Sequence, residues 1–444
     1  MRASRKSVGW TGGRRAQGPR SAPVVRICGW GLTVLALWVA PLESGTAAEA
    51  PGATQEAAAV FRIGAVFDTT GVLGDFGAAG LRGVEFALRE VNAAGGVWGR
   101  PVESFPIDGA TDPDLTVLRS QVAIDGQGIS ALVGPMGSAA AVALGEQVAG
   151  PHRIPTISPT ATSPKLTRLL DDDFLFRTTA SDAVQAPVLA DLALEEGYSH
   201  LGVFFQDDAY GHGLAGALEE AFPGRVTRRA VAPDQETYLP ELRQLEDAGA
   251  EVLVAITYTK AVAVYLQEAL EHQLFDRFLF VDSTASTDWV TLVGAEHVEG
   301  MKGTAPTGTL PGLGANLVDS EGNRAFNEAF HEVYGEAPGA GLEAAAYDAT
   351  ICLCLAAEKA GVDDGDAIRD ALRQVCGGGG RRLGPTQADS ALAAIRAGEK
   401  IDYDGVGSTL DWNSKGDLSS GAVLIWQFQE GQVVVLEERP YRLD

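Results

Sequence analysis

A chain of 444 residues with 45% apolar and 21% charged side chains can build two or three domains with substantial cores, which excludes a disordered or fibrous protein. Its formal net charge of −25 repels polyphosphates and anionic membrane surfaces, so no nucleic-acid role is expected. The six histidines are scattered, without a Ser, Cys or Asp in a recognisable catalytic context, and no metal or cofactor is implied.

The beginning is anomalous. Residues 1–26 carry seven basic side chains and no acid, and they precede an apolar run, Ile27 to Ala40, and the small residues Thr46-Ala47-Ala48. That order is the pattern of a cleavable export signal, and the run is shorter than the roughly 20 residues a membrane-spanning helix needs. Residues 1–48 are therefore read as an export signal and 49–59 as a flexible linker. Removing the signal leaves 27 basic against 58 acidic side chains.

Val60 to Phe67 (VFRIGAVF) is a continuous apolar run suited to a buried strand. A glycine-rich loop, Asp68 to Gly77, feeds a helix with Leu81, Val84, Leu88 and Val91 at helical spacing, closed by Gly95-Gly96. The loop lacks both the GxGxxG order and a Lys-Ser/Thr ending, so it is not a nucleotide loop. Val102 to Asp108 forms the next strand, and Asp112-Pro113 opens a helix reaching Gly126 with Leu115, Leu118 and Val122 inward. Next comes ISALVGPMGSAAAVALGEQVAGPHRIPTISPTATSP, residues 129 to 164. It reads as strand Ile129 to Val133, a loop, a helix from Ser138, strand Ile154 to Ser158, and a second loop with Thr160-Ala161-Thr162. If the two strands are parallel neighbours, both loops open at one sheet edge and form a small pocket of hydroxyls and backbone N–H groups suited to an anion. Ser163-Pro164 repeats the cap-then-proline device.

After Phe174 to Thr179 the alternation restarts. The helix Ala183 to Glu196, strand His200 to Phe205, loop Gln206 to Gly213 (QDDAYGHG), helix Leu214 to Phe222 and strand Val226 to Val231 lead into the helix Leu239 to Asp247. Strand Val252 to Ile256, helix Ala261 to His272 and strand Phe278 to Val281 complete the series. The strand-end loops of this second lobe carry Asp207, Asp208, Tyr210, Tyr258, Asp282, Ser283 and Thr284. Hydroxyls on one side and acids with phenols on the other suit the two ends of a zwitterion. Helices at Asn323 to Tyr334, Leu342 to Gly361, Asp366 to Val375 and Ser390 to Gly398 follow, then a hairpin, Gly421 to Leu436, turning at Glu430-Gly431. The fold class is α/β with parallel sheets. Of the three cysteines beyond the signal, Cys376 is expected to form a disulfide with Cys352 or Cys354, the exported setting favouring a bridge over a metal site.

Taken in order, IGAVFDTTGVLGDFG, VNAAGGVWGRPVE, ISALVGPMGS, IPTISPTATSPKLT, FRTTASD, DDAYGHG, AAYDA and IDYDGVGSTLDWNSKGD resemble the periplasmic substrate-binding proteins of branched-chain amino acid ABC transporters, the leucine, isoleucine and valine type. The resemblance covers nearly all of the chain beyond the signal. It implies a type I periplasmic binding protein: two α/β lobes joined by three crossover strands, closing on a ligand in the cleft. Lobe 1 would take 60–178 and 303–399, lobe 2 would take 179–302, and 400–444 would form a crossover and a hairpin belonging mainly to lobe 2. It further implies Phe76 as an aromatic flank and Ser138, Ala161 and Thr162 as the carboxylate-binding set, with Tyr210 and Tyr258 facing the ligand. Thr284 stands where the family often has its ammonium-binding acid, with Asp282 two residues earlier. The expected protein is a monomeric, non-enzymatic periplasmic receptor that hands a small amino acid or related carboxylate to a membrane permease. A ligand-sensing module of the same fold is the alternative. An α/β enzyme would need a nucleophile elbow, cofactor loop or metal cluster that the sequence lacks.

Overall fold

The computed structural model describes residues 60–307, 321–339 and 341–443; the export signal and the linker lie outside them. The first sheet comprises β1 (Phe61–Phe67), β2 (Val102–Asp108), β3 (Ala131–Val133), β4 (Thr156–Ser158) and β5 (Leu175–Arg177), in the order β2-β1-β3-β4-β5 and parallel throughout. Each strand returns through a helical crossover or a loop: α1 (Gly74–Ala93), α2 (Pro113–Gln127), and α3 (Ser138–Leu144), which continues through a π-turn, Gly145–Ala149, into α4 (Gly150–His152). The expected cap-then-proline start of α2 is present, with the Asp112 carboxylate accepting from Asp114 N and Leu115 N. Its inward face differs from expectation. Thr116, Val117, Ser120 and Ala123 are buried, whereas Leu118 and Val122 are 55% and 64% exposed and stand beside Phe105 on the sheet's edge strand. The Thr116 hydroxyl bonds to Asp112 O at 2.8 Å, and small residues let the helix lie close to the sheet, so close approach rather than apolar size sets the rotation.

The second series is α5 (Asp182–Glu195), β6 (His200–Gln206), α6 (Ala209–Ala221), β7 (Arg225–Val231), α7 (Leu239–Asp247), β8 (Val252–Ile256), α8 (Thr259–Glu271), β9 (Phe278–Phe280), α9 (Val290–Val293) and β10 (Lys302–Pro306). Helices α10 (Glu321–Tyr334), α11 (Leu342–Ala360) and α12 (Gly365–Val375) follow. A small parallel pair, β11 (Arg381–Leu383) with β12 (Ile401–Tyr403), flanks α13 (Ala388–Arg396), and the chain ends in the hairpin β13 (Ser420–Gln429) and β14 (Gln432–Arg442). The second sheet runs β14-β13-β10-β9-β8-β6-β7, so an antiparallel hairpin caps one edge of an otherwise parallel sheet. β10 belongs to this sheet, which places residues 303–306 with the second lobe, not the first. β12 pairs with β11, which keeps 401–403 on the side of the first.

The chain passes between sheets after β5, after β10 and after β12. One core joins the first sheet to α1 and α10–α13, with Phe86, Phe326, Phe330 and Tyr347 in tilted or edge-on aromatic contact; two others fill the faces of the second sheet.

Candidate ligand-binding site

Parallel strands direct their C-terminal loops to one edge, and the two sheets face each other along such edges. β3 and β4 are parallel neighbours, as the pocket argument required. Gly134 leaves β3 at φ +111°, where an added Cβ would sit 2.0 Å from Val66 O, so the loop can turn there only with glycine. Ser138 begins α3 and is buried, its Oγ accepting from Ser163 N at 3.2 Å. That leaves its proton for another acceptor. The Thr160 hydroxyl donates to Met136 O at 2.9 Å, and the Thr162 hydroxyl to Asp182 Oδ2 at 3.0 Å. Behind them Arg177 is buried with Asp417, Nε to Oδ1 at 2.8 Å, and its Nη1 donates to the carbonyls of Thr162 and Ser163 at 3.0 and 3.1 Å. The guanidinium therefore holds the 161–163 loop from the rear.

The opposite wall comes from the second sheet. The stretch read as the loop QDDAYGHG turns into α6 at Ala209, because the Asp208 carboxylate caps Gly211 N at 2.9 Å; Tyr210 thus stands on the first turn of a helix. The Tyr210 hydroxyl lies 3.0 Å from Asp282 Oδ1 and 2.7 Å from Ser283 Oγ. Ser283 gives its own proton to Thr257 O, so the single phenol proton is shared between two acceptors. Gln185 Nε2 adds a donor to Asp282 Oδ1 at 3.2 Å. Tyr258 stacks on Tyr210 with centroids 5.7 Å apart and donates to Asp208 Oδ2 at 2.8 Å. Burial pushes the Asp282 carboxyl above its ordinary value, against the stabilising Gln185 and Tyr210 bonds. Burial and then the neighbouring Asp282 charge push Asp182 up still more, and its Oδ1 has no hydrogen-bond partner.

These walls enclose a cavity of about 120 Å³. Phe76, Ser138, Thr162, Tyr210, Tyr258 and Asp282, all singled out in the sequence, line it. Ala161 and Thr284 do not. Ala161 is fully buried, with its N–H given to Ser158 Oγ at 3.2 Å. Thr284 is fully buried, its Oγ accepting from Val281 N and donating to Val281 O to close a 3₁₀ turn, Asp282–Thr284. Sequence reasoning overlooked Leu73, Met136 and Leu342, which give the cavity its apolar side, and the supporting pair Asp182 and Gln185. Asp182 and Gln185 open a helix just after FRTTAS, and only the crossover brings them behind the site.

Among the described residues, Lys260 Nζ donates to Gly71 O at 3.0 Å and Ser163 Oγ to Ala209 O at 2.7 Å, linking the walls outside the cavity.

The family model described as periplasmic binding protein matches residues 60–376. The chain belongs to this family. Among its relatives, the Leu/Ile/Val-binding protein homolog 3 of Brucella melitensis is 27% identical over 393 residues, 87% of this chain and 96% of that protein. The chemotactic signal transduction system substrate-binding protein BasB of Halobacterium salinarum is 25% identical, over 77% of this chain and 80% of its own. The leucine-binding protein LivK of Thermotoga maritima superposes with a TM-score of 0.71 at 21% identity, covering 85% of this chain and 98% of that one, which fixes the fold as the two-lobed type I architecture. Membership places this periplasmic binding protein outside the cytoplasm, among proteins that bind ligands.

Proposed function

We propose that this protein captures a small amino acid or related carboxylate by lobe closure and delivers it to an ABC-transporter permease. Export by a cleaved signal and a monomeric working state are part of the same reading. The observation that carries it is the division of the cavity: hydroxyls of Ser138, Thr160 and Thr162 on one wall, Asp282 with Tyr210 on the other. A carboxylate at the first and an ammonium at the second satisfies both and draws the walls together; a ligand touching one wall alone would not bias closure. Ser138, whose hydroxyl proton is unspent, takes the carboxylate, and Thr162 joins it by turning its hydroxyl away from Asp182 Oδ2. Asp282, already half-buried between Gln185 and Tyr210, takes the ammonium without the full cost of burying an isolated charge. Leu73, Phe76, Met136 and Leu342 suit a short apolar side chain.

A second reading, a receptor that reports its ligand to a sensor, is supported by the similarity to a chemotactic substrate-binding protein. A thermal-shift screen of amino acids, small carboxylates, amides, urea and aromatic acids on the exported protein tests the ligand. A ligand at about 100 times its Kd adds about 2.7 kcal/mol to the folded state. A rise for aliphatic amino acids above the matching neutral carboxylates is the expected result; no rise with any carboxylate overturns the reading.

A further inference from the structure

We infer that Cys352 and Cys376 are joined by a disulfide in the exported protein, and that Cys354 remains a thiol. The sequence allowed either partner for Cys376. Helix geometry separates the candidates, since positions two apart on a helix point about 200° away from each other. Cys352 meets the end of α12, where Cys376 directly follows Val375; their sulfurs are 3.0 Å apart and both residues are fully buried. The surroundings are apolar: Ile351, Leu355, Ile368, Leu372 and Val375 belong to the same core. Among the described residues no group of three or more His, Cys, Asp and Glu is arranged to hold a metal. What decides the oxidation state is the compartment, and this family works outside the cytoplasm, where juxtaposed thiols are oxidised.

The reaction needs an exported thiol–disulfide oxidant. One cysteine of the pair attacks its disulfide as the thiolate and expels one oxidant sulfur. The second cysteine loses its proton and attacks the resulting mixed disulfide at the protein sulfur. Two thiols thereby give up two protons and two electrons, and the oxidant's disulfide becomes a dithiol. Once α11 and α12 have packed both thiols are fully buried and out of an oxidant's reach, so exchange precedes that packing. The bridge then ties α12 to α11. Arg373 on α12 pairs with Asp173 through both nitrogens at 2.6 and 2.7 Å and donates to Asn413 O, so the bridge fastens the helix that supports the third crossover.

The test uses protein from the extracytoplasmic fraction, kept free of reductant, denatured in N-ethylmaleimide and mapped by mass before and after reduction. The inference expects the peptides containing Cys352 and Cys376 as one linked species, lighter by two hydrogens than the separate thiol peptides, with a single label on Cys354. Fragmentation of the linked species assigns the sulfur without any variant, and Cys354→Ala should keep the link. Protein reduced in denaturant and refolded in reductant should melt lower than the oxidised form. Labels on all three cysteines, or a link through Cys354, overturn the inference. Neither result bears on ligand binding.

Discussion

Asp282 carries more of the proposed specificity than any other residue, because among the described residues it is the one acid lining the cavity and it is fixed from behind by Gln185 and Tyr210. Asp282→Asn should lower affinity for ammonium-bearing ligands by about 1.5–3 kcal/mol, the worth of a charged hydrogen bond, while neutral carboxylates lose little; calorimetry on matched ligand pairs reads the difference. Equal losses would remove the ammonium assignment. Its position illustrates what a sequence can yield at this scale. Counting residues along the loop offered Asp282 and Thr284 together, but only the 3₁₀ turn reveals that Thr284 is consumed by Val281 and faces away. Ala161 falls outside the cavity lining for a similar reason, since a backbone N–H is claimed by whichever acceptor the loop presents, here Ser158. Away from the site, Asp348 is fully enclosed, with its Oδ2 accepting from Val406 N at 2.8 Å and Oδ1 unpartnered, and burial raises its carboxyl from 3.8 to about 8. The folded carboxyl keeps a proton that the unfolded one has lost. Its contribution to stability is therefore complete below the unfolded value and is lost as pH rises through about 8. Asp348→Asn should flatten the fall in melting temperature across that window. Glu90, raised by burial to about 7, contributes in the same sense.

At the level of elements, α1 and α11 are held together at close range by a glycine. A Cβ on Gly83 would lie 2.2 Å from Glu343 O, and next to it Arg82 reaches Glu343 Oε1 at 2.7 Å. Gly83→Ala should force the helices apart and lower stability by about 1–3 kcal/mol, seen as a shift of the denaturation midpoint. An unchanged midpoint would mean that the helices move without penalty. Strands and helices were mostly legible, since apolar runs of strand length and helical spacing mark them directly: β2, α7 and β8 fall on the boundaries the sequence suggested. The failures are cases where tertiary contact decides. α2 turns Thr116 and Ser120, not Leu118 and Val122, to its sheet, and Ser163-Pro164, which resembles a helix start, produces one 3₁₀ turn, Leu166–Arg168. Asp208, placed by the sequence in a loop, is a helix cap and the partner of Tyr258.

At the scale of the whole molecule, the walls of the cavity are tied among the described residues by contacts such as Lys260 to Gly71 O and Ser163 to Ala209 O. Lys260→Ala removes the bond to Gly71 O, an exposed one, and should weaken every ligand by a similar factor of up to about tenfold while leaving their ranking intact. Solution scattering with and without ligand would show the variant needing more ligand to reach the compact form. Neither Lys260 nor Gly71 could be matched from sequence, because 189 positions separate them and nothing in either segment names the other. The same holds for Arg177 and Asp417, which are 240 positions apart. Arg177 ends β5 just before the first passage between sheets, Asp417 lies within the third, and the same guanidinium grips the carbonyls behind Thr162. The pivot and the binding wall are thus one mechanical part. For anyone recombining segments of related receptors to alter what they bind, 161–177 and 404–419 form a single cassette. Exchanging the binding loop without its distant counter-ion would strand a buried cation and loosen the joint along with the site.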